Sequence, residues 1–293
     1  MFIEANVETQ AITFNNIGII YDPLCVYAKL MIQEYYSGPE YDDTVYLLTP
    51  SDVFDCDISR PLTRDIIRQW LGRDFKRIVF WNFDHLNWQH YIDRLNQYLE
   101  ALQPDEIWEW QYENVIGGKY TLQDRVKFVP LRYVSAYEKF RIDKYQDQNC
   151  VCHFIGNITP RRTELFNSFY CKFLNFKLLC GRPIYSCIDE ISRSGFALNI
   201  HGGENNYREQ LRISENICLG IPVMMENDDH PYYPGLVEQF DYNWALNNPR
   251  DFFKHMSRLY NLRRIQDNAN EYKQMTQSEY AYEVYKSNII KTY

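Results

Sequence analysis

The stretch 196–227, FALNIHGGENNYREQLRISENICLGIPVMMEN, constrains the fold of this chain more than any other. It opens with the apolar run Phe196-Ala197-Leu198-Asn199-Ile200, which reads as a short strand buried on both faces. Gly202-Gly203 break that strand. The polar residues Glu204, Asn205, Asn206 and Tyr207 then form a loop leading into a helix. Leu211, Ile213, Ile217 and Leu219 give the helix a mostly buried face. Gly220 ends it, and Ile221-Pro222-Val223-Met224-Met225 starts another strand. Strand, glycine loop, helix and strand make a βαβ unit. Its loop opens at the carboxyl edge of a parallel sheet, where open α/β sheets take their ligands. The helix N-terminus brings free N–H groups and a positive dipole end to the same place, which suits a phosphate. Arg208 and Arg212 add fixed charge one turn apart. Glu215, one turn further, can accept hydrogen bonds from sugar hydroxyls.

The remaining chain repeats the alternation. In the first half, strands are expected at 17–21, 44–48, 76–81, 106–110 and 126–130, with helices at 24–36, 62–71 and 90–102 and an extra edge strand within 1–14. Thr63 is placed to cap the second of those helices. A second series has strands at 151–155 and 176–181, helices at 162–174 and 188–193, an edge strand at 240–242, and helices at 249–262 and 277–290. Strands alternating with helices predict doubly wound, mostly parallel sheets. The polar segment 137–149 lacks glycine and proline and is taken as the linker. The expected organisation is α/β, with two Rossmann-like domains at 1–145 and 150–276 and a C-terminal helix at 277–293.

Bulk properties remove several function classes. The 293 residues suffice for two domains, and a net charge of −8 argues against a surface devoted to nucleic acid. The eight cysteines form no CxxC pair and sit mostly in apolar runs, as expected of reduced, buried thiols in a cytoplasmic protein, so no metal site is assigned. Nothing resembles a signal peptide, and no apolar run approaches the ~18–20 residues of a membrane span. P-loop, GxGxxG, GxSxG and HExxH patterns are absent.

Several further residues can carry chemistry. Arg161-Arg162 follow a predicted strand through Gly156, Asn157, Ile158, Thr159 and Pro160, at a helix start. The helix dipole repels cations there, so a negative group is required nearby, and a pyrophosphate is one candidate. His201 lies just past a strand end beside Gly202-Gly203, and Glu204 and Tyr207 share its loop. Glu226 ends the last strand of the unit and has a weaker claim. In the first half, Asp84 and His85 follow a strand and are candidates for acid–base or acceptor-positioning work, as is Asp22. Each has a plainer reading: solvated arginines, a histidine packed at a strand end, an aspartate N-cap, and an i,i+3 ion pair for Arg212 and Glu215.

With these residues in view, the second half resembles the GT-B glycosyltransferases of the CgeB-like, group-1-like kind found in bacteria and phages. The resemblance rests on His153-Phe154-Ile155-Gly156-Asn157 through Pro160-Arg161-Arg162. It continues in Ala197-Leu198-Asn199-Ile200-His201, Arg212-Ile213-Ser214-Glu215 and Gly220-Ile221-Pro222-Val223, with weaker echoes in the first half at Asp105-Glu106-Ile107-Trp108-Glu109 and Val129-Pro130-Leu131-Arg132-Tyr133, and together covers about residues 80–227. It implies two domains facing across a cleft. A nucleotide sugar, by preference a UDP-sugar, would act as cosubstrate, with no tightly bound cofactor. Glu215 would match the acid on the donor ribose. Arg162, Arg212 and the loop 201–207 would match groups around the diphosphate, and the acceptor would enter from the first half. The pattern departs from the family at one point. Group-1-like retaining enzymes carry two glutamates separated by seven residues, and eight residues before Glu215 stands Tyr207. The stereochemical outcome is therefore open. A subset of phage enzymes of this kind glycosylates hydroxymethylated DNA bases, which would have to be flipped from the duplex. Arg60, Arg64, Arg68, Arg73, Lys76 and Arg77 would be the rim residues for phosphates. Two other readings stand beside transfer: a catalytically idle GT-B-like module binding a glycan or protein, and a two-domain α/β enzyme such as a sugar-phosphate epimerase.

Overall fold

A computed structural model describes residues 10–21, 25–49, 63–83, 86, 89–141, 152–170, 176–179, 184–202, 210–227, 233, 235–261 and 265–292. The chain divides into two compact units, Met1–Leu131 and Arg132–Tyr293. The sequence had put the division further on, between 145 and 150.

The first unit runs β1 (Gln10–Phe14), β2 (Ile17–Tyr21), α1 (Val26–Tyr35), β3 (Thr44–Thr49), α2 (Arg64–Leu71), β4 (Arg77–Asn82), α3 (Gln89–Leu102), β5 (Glu106–Glu109), α4 (Tyr112–Ile116) and β6 (Val126–Phe128). These strands form one sheet in the order β1-β2-β3-β4-β5-β6. The expected edge strand is β1, antiparallel to β2, and every other pairing is parallel. Alternate residues of each strand take opposite faces. Ile20, Leu47, Phe80 and Ile107 pack with Ile67 of α2 and with Leu95, Leu99 and Leu102 of α3. On the opposite face the rings of Trp81 and Tyr46 meet Trp108, which also packs edge-on against Tyr36. Thr63 does cap α2, accepting from Ile66 N at 3.4 Å, and Gly72 closes it in a left-handed conformation with φ +64°. Strand order here follows chain order, with no reversal. The doubly wound arrangement expected from the alternation does not hold for this sheet, because alternation fixes that strands and helices exchange, not the direction in which the sheet grows.

The second unit runs β7 (Cys152–Ile155), α5 (Pro160–Tyr170), β8 (Phe176–Leu179), α6 (Ile188–Ile191), β9 (Phe196–Asn199), α7 (Gln210–Cys218), β10 (Val223–Glu226), β11 (Val237–Phe240), α8 (Tyr242–Asn247), α9 (Pro249–Asn261), α10 (Ile265–Thr276) and α11 (Glu279–Lys291). The order is β11-β10-β9-β7-β8, all parallel. The chain steps from β7 out to β8, then returns across β7 to build β9, β10 and β11. That reversal puts a topological switch point between β7 and β9, the place where open α/β sheets bind ligands. Phe154, Leu198 and Met224 pack against Leu165 and Phe166 of α5 and Phe252 and Met256 of α9. The helix α7 buries Ile213 and Ile217, and its Ser214 hydroxyl bonds Tyr233 at 2.6 Å and Tyr272 of α10 at 3.1 Å.

Two expectations in this unit are corrected. The segment 240–242 is not a strand: β11 ends at Phe240, and Asp241 accepts from Trp244 N at 2.6 Å to cap α8. The helix α10 lies in a stretch assigned no element. The described cysteines Cys25, Cys152, Cys187 and Cys218 are buried free thiols. No helix among the described residues is long and apolar enough to cross a membrane.

Candidate functional site

The switch point of the second sheet gathers three arginines and two glutamates from three elements. The strand β7 hands over to α5 through Gly156, whose φ of +144° favours glycine. A Cβ there would come within 2.6 Å of the Arg212 guanidinium. The missing side chain is therefore what lets Arg212, projecting from α7, lie against the end of β7.

Arg162 is a strut. It is 3% exposed. Its Nε and Nη2 donate to Ile200 O at 2.9 and 2.7 Å, and its Nη1 donates to Asn157 O at 2.8 Å. The guanidinium thus ties the backbone after β7 to the backbone after β9, across the switch point. Arg161, one residue earlier, donates to both carboxylate oxygens of Glu226, at 2.7 Å to Oε2, and stacks 3.6 Å from the Tyr242 ring centroid. Glu226 ends β10, is buried, and its Oε2 also accepts from His201 N at 3.0 Å. Arg212 Nη1 donates to Asn199 Oδ1 at 3.0 Å, so this arginine reaches the end of β9.

Glu215 lies on the buried side of α7, 5% exposed, and Tyr137 OH donates to its Oε1 at 2.8 Å. Burial pushes its carboxyl up to about 8, against the pull of the Tyr137 hydrogen bond and the Arg212 charge. Beside it, His153 on β7 is held far below the usual imidazole value, at about 3, mainly by burial, and its Nε2 meets Asn216 Oδ1 at 3.0 Å. Guanidinium groups stay charged. Among the described residues the switch point thus gathers three guanidinium groups, a carboxylate paired with Arg161 and a carboxyl that burial shifts upward.

Among the predicted donor residues, Asn157, Arg161, Arg162, His201, Gly202, Arg212 and Glu215 come together at this edge. His201 is 1% exposed and contributes through its backbone, its carbonyl accepting from Arg161 Nη1 at 3.3 Å. Gly203, Glu204, Tyr207 and Arg208 lie outside the described residues, as do the acid–base candidates Asp22, Asp84 and His85. The negative group that Arg161 needs at a helix start is supplied by Glu226 of the chain itself. The sequence signal for it was an acid at a strand end, and the pairing spans 65 residues. Asn199 and Tyr137 were not singled out. A polar residue inside an apolar strand run was the available sign for Asn199.

The first unit holds a third buried glutamate, to which sequence reasoning gave no role in a site. Glu109 ends β5 and is fully buried. Its carboxylate accepts from Asn82 Nδ2 at 2.9 Å, Asn114 Nδ2 at 3.1 Å, Gln111 N at 3.0 Å and the Tyr120 hydroxyl. Burial raises its carboxyl to about 7 even with those donors. The basic residues proposed as a rim for DNA phosphates lie elsewhere. Arg77 starts β4 and pairs with Glu106 at the start of β5. Arg73 and Lys76 pair with Asp43 just before β3, Arg64 with Asp105, and Arg68 with Asp65 and Asp74. That cluster belongs to the amino edge of the first sheet and is neutralised there. Arg60 is outside the described residues.

No known protein family matches the chain, and no curated protein matches it. Among solved structures, the glycosylation-associated protein (Gap123) complex of Streptococcus agalactiae aligns at a TM-score of 0.40 and 8% identity, over 85% of this chain and 54% of that one. This chain thus spans about half the length of that one. The glycosyltransferase of kitacinnamycin aligns at a TM-score of 0.35 and 8% identity, over 92% of this chain and 79% of the other.

Proposed function

We propose that the second unit binds the diphosphate of a nucleotide sugar at its switch point, and that the protein is a glycosyltransferase. The observation that carries this reading is the gathering of three guanidinium groups at the switch point between β7 and β9. In transfer, an acceptor hydroxyl oxygen attacks the anomeric carbon, the bond from that carbon to the diphosphate oxygen breaks, and the diphosphate leaves with the electron pair. Preorganised cations beside the leaving group stabilise the charge that develops on it. We assign this role to Arg212, which reaches the end of β9 from α7, while Arg161 braces Glu226 and Arg162 the backbone carbonyls. Glu215 would take a ribose hydroxyl on the carboxyl oxygen not bonded to Tyr137. The acceptor proton would pass to Asp84, His85 or Asp22. A UDP-sugar is the donor we favour, with no tightly bound cofactor, and hydroxymethylated DNA and surface glycans are the acceptor classes.

The test is calorimetry with UDP and a panel of nucleotide sugars, followed by mass spectrometry of acceptors that include hydroxymethylated DNA. Arg212→Ala is expected to weaken UDP binding at least about tenfold, the cost of one lost charge-assisted contact. Absence of any nucleotide binding by the wild-type protein sinks the reading. Binding without turnover on any acceptor would leave a sugar-nucleotide-binding module.

A further inference from the structure

The helix α11 is packed on one side only. Tyr282, Tyr285 and Ile289 recur at helical spacing and are buried. Arg132 fixes this side, paired with Glu279 at 3.0 Å and stacked 4.2 Å from the Tyr282 ring centroid. The other side carries Tyr280, 83% exposed, and Val284, 45% exposed, one turn apart. Of the seven exposed large apolar side chains among the described residues, these two and Ile290 lie on this one helix. Scattered single ones call for no explanation, whereas a group beside a groove does. The groove encloses about 400 Å³ between Met275 at the end of α10 and Tyr280, Ala281, Val284, Asn288 and Thr292 of α11. All of these residues belong to the second unit.

Charge on α11 is divided along its length. Glu279 and Glu283 fall in the first half, Lys286 and Lys291 in the second. Glu283 and Lys286 are i,i+3 on one flank of the Tyr280–Val284 stripe, 3.5 Å apart. A second α11 laid antiparallel across a two-fold axis meets this pattern with its own complement. In such an isologous contact each flank meets the same flank of the other copy. With the axis near Val284, Glu283 stands beside Lys286 of the other copy, and the acidic end beside the basic end. A parallel pairing would set like charges together, which costs binding energy. In the antiparallel register Tyr280 reaches the Asn288–Thr292 end of the opposite groove, and its own groove receives the other Tyr280. Aromatic side chains seated in apolar pockets are the usual anchors of interfaces.

We propose that the exposed face of α11 is a homodimer interface, in which two copies pair antiparallel and each Tyr280 fills the groove of the other. This inference is independent of the glycosyltransferase reading. A contact along one 13-residue helix, ~20 Å long, falls at the small end of specific interfaces. A reversible dimer is therefore expected, with a dissociation constant on the order of 10 micromolar.

The experiment is sedimentation velocity of the full chain, from about 1 to about 500 micromolar, a range that brackets such a constant. The wild type is expected to shift from monomer to dimer across it. Tyr280→Ser combined with Val284→Arg is expected to weaken the dimer at least about tenfold, with thermal unfolding unchanged because both side chains are exposed. Glu283→Lys and Lys286→Glu are each expected to weaken it as well, since like charges then meet across the axis. Mixed in equal amounts, these two charge variants are expected to recover the wild-type constant, because every lysine in the mixed dimer faces a glutamate. Mixing cannot repair a defect within one helix, so recovery reports the interface itself. The proposal is overturned if the wild type stays monomeric throughout, which leaves the groove to another occupant. It is overturned too if the dimer ignores the Tyr280 and Val284 substitutions, or if the mixture is as weak as its components. Should the Tyr280 and Val284 double variant fail to fold, the charge variants decide alone.

Discussion

Replacing Glu215 with glutamine is expected to flatten the pH dependence of the second unit's stability. Burial holds this carboxyl at about 8 in the folded chain, against an ordinary value of 4.5. Between those values the folded chain keeps a proton that the unfolded chain releases. The group's contribution is therefore complete below about pH 4.5 and is lost as the pH rises through about 8. At about 1.4 kcal/mol per pH unit, the gap amounts to ~5 kcal/mol when fully developed. The glutamine amide keeps an acceptor for Tyr137 OH and carries no charge, so it mimics the protonated carboxyl at every pH. A two-unit chain need not unfold in one step, so the assay is urea unfolding read by hydrogen exchange on peptides covering α7. The wild-type α7 is expected to lose several kcal/mol from about pH 5 to about pH 9 relative to the variant, with the two converging at the acid end. Parallel profiles across that range would refute the reasoning, since they would mean that the carboxyl ionises without penalty. If a ribose hydroxyl binds the ionised form, UDP binding near pH 7 also releases a proton in wild type and none in Glu215→Gln, a difference that calorimetry in buffers of different ionisation enthalpy detects.

Gly156→Ala places a Cβ within 2.6 Å of the Arg212 guanidinium, on a backbone with φ +144°. The side chain can swing aside but the backbone cannot, so a loss of ~1–3 kcal/mol is expected in thermal unfolding, together with weaker UDP binding by calorimetry; a variant as stable as wild type would remove the packing argument. Glu109→Leu strips the shared acceptor from Asn82, Gln111, Asn114 and Tyr120. Buried donors left unmet cost ~1–3 kcal/mol each, so a loss of about 3 kcal/mol or more is expected in urea unfolding followed by the fluorescence of the buried Trp81, Trp108 and Trp110. An unchanged unfolding midpoint would show that those donors find other partners.

Strand positions were legible because parallel strands buried on both faces leave continuous apolar runs, as at Ile17–Tyr21 and Phe196–Asn199. Local devices were legible too. The Thr63 cap and the glycine stop at Gly220, with φ +73°, need only neighbouring residues to be recognised. Strand order was not legible, because it depends on which strand each crossover returns to, and short apolar runs do not encode that choice. The same pattern of alternation gave a sequential sheet in one unit and a reversed one in the other. The charge pairings were hidden for a related reason. Arg161 was identified as a cation in need of an anion, and that reasoning stands, but the anion lies on β10 and could be found only once β10 was known to sit beyond β9.

That pairing changes how the switch point divides its labour. A guanidinium at a helix start is costly unless something negative meets it. For Arg161 the cost is met internally by Glu226, which also fixes His201 N, so the two residues brace the loop entrance. Arg162 braces the same entrance from the other side through Ile200 O and Asn157 O. The third arginine, Arg212, reaches from α7 to Asn199 at the end of β9 and ties the helix to that strand. The frame belongs to the second sheet, where the chain reverses direction and leaves two strand ends with diverging connections. In the first sheet the polar groups at the carboxyl ends of β4 and β5 instead close on Glu109 and satisfy one another.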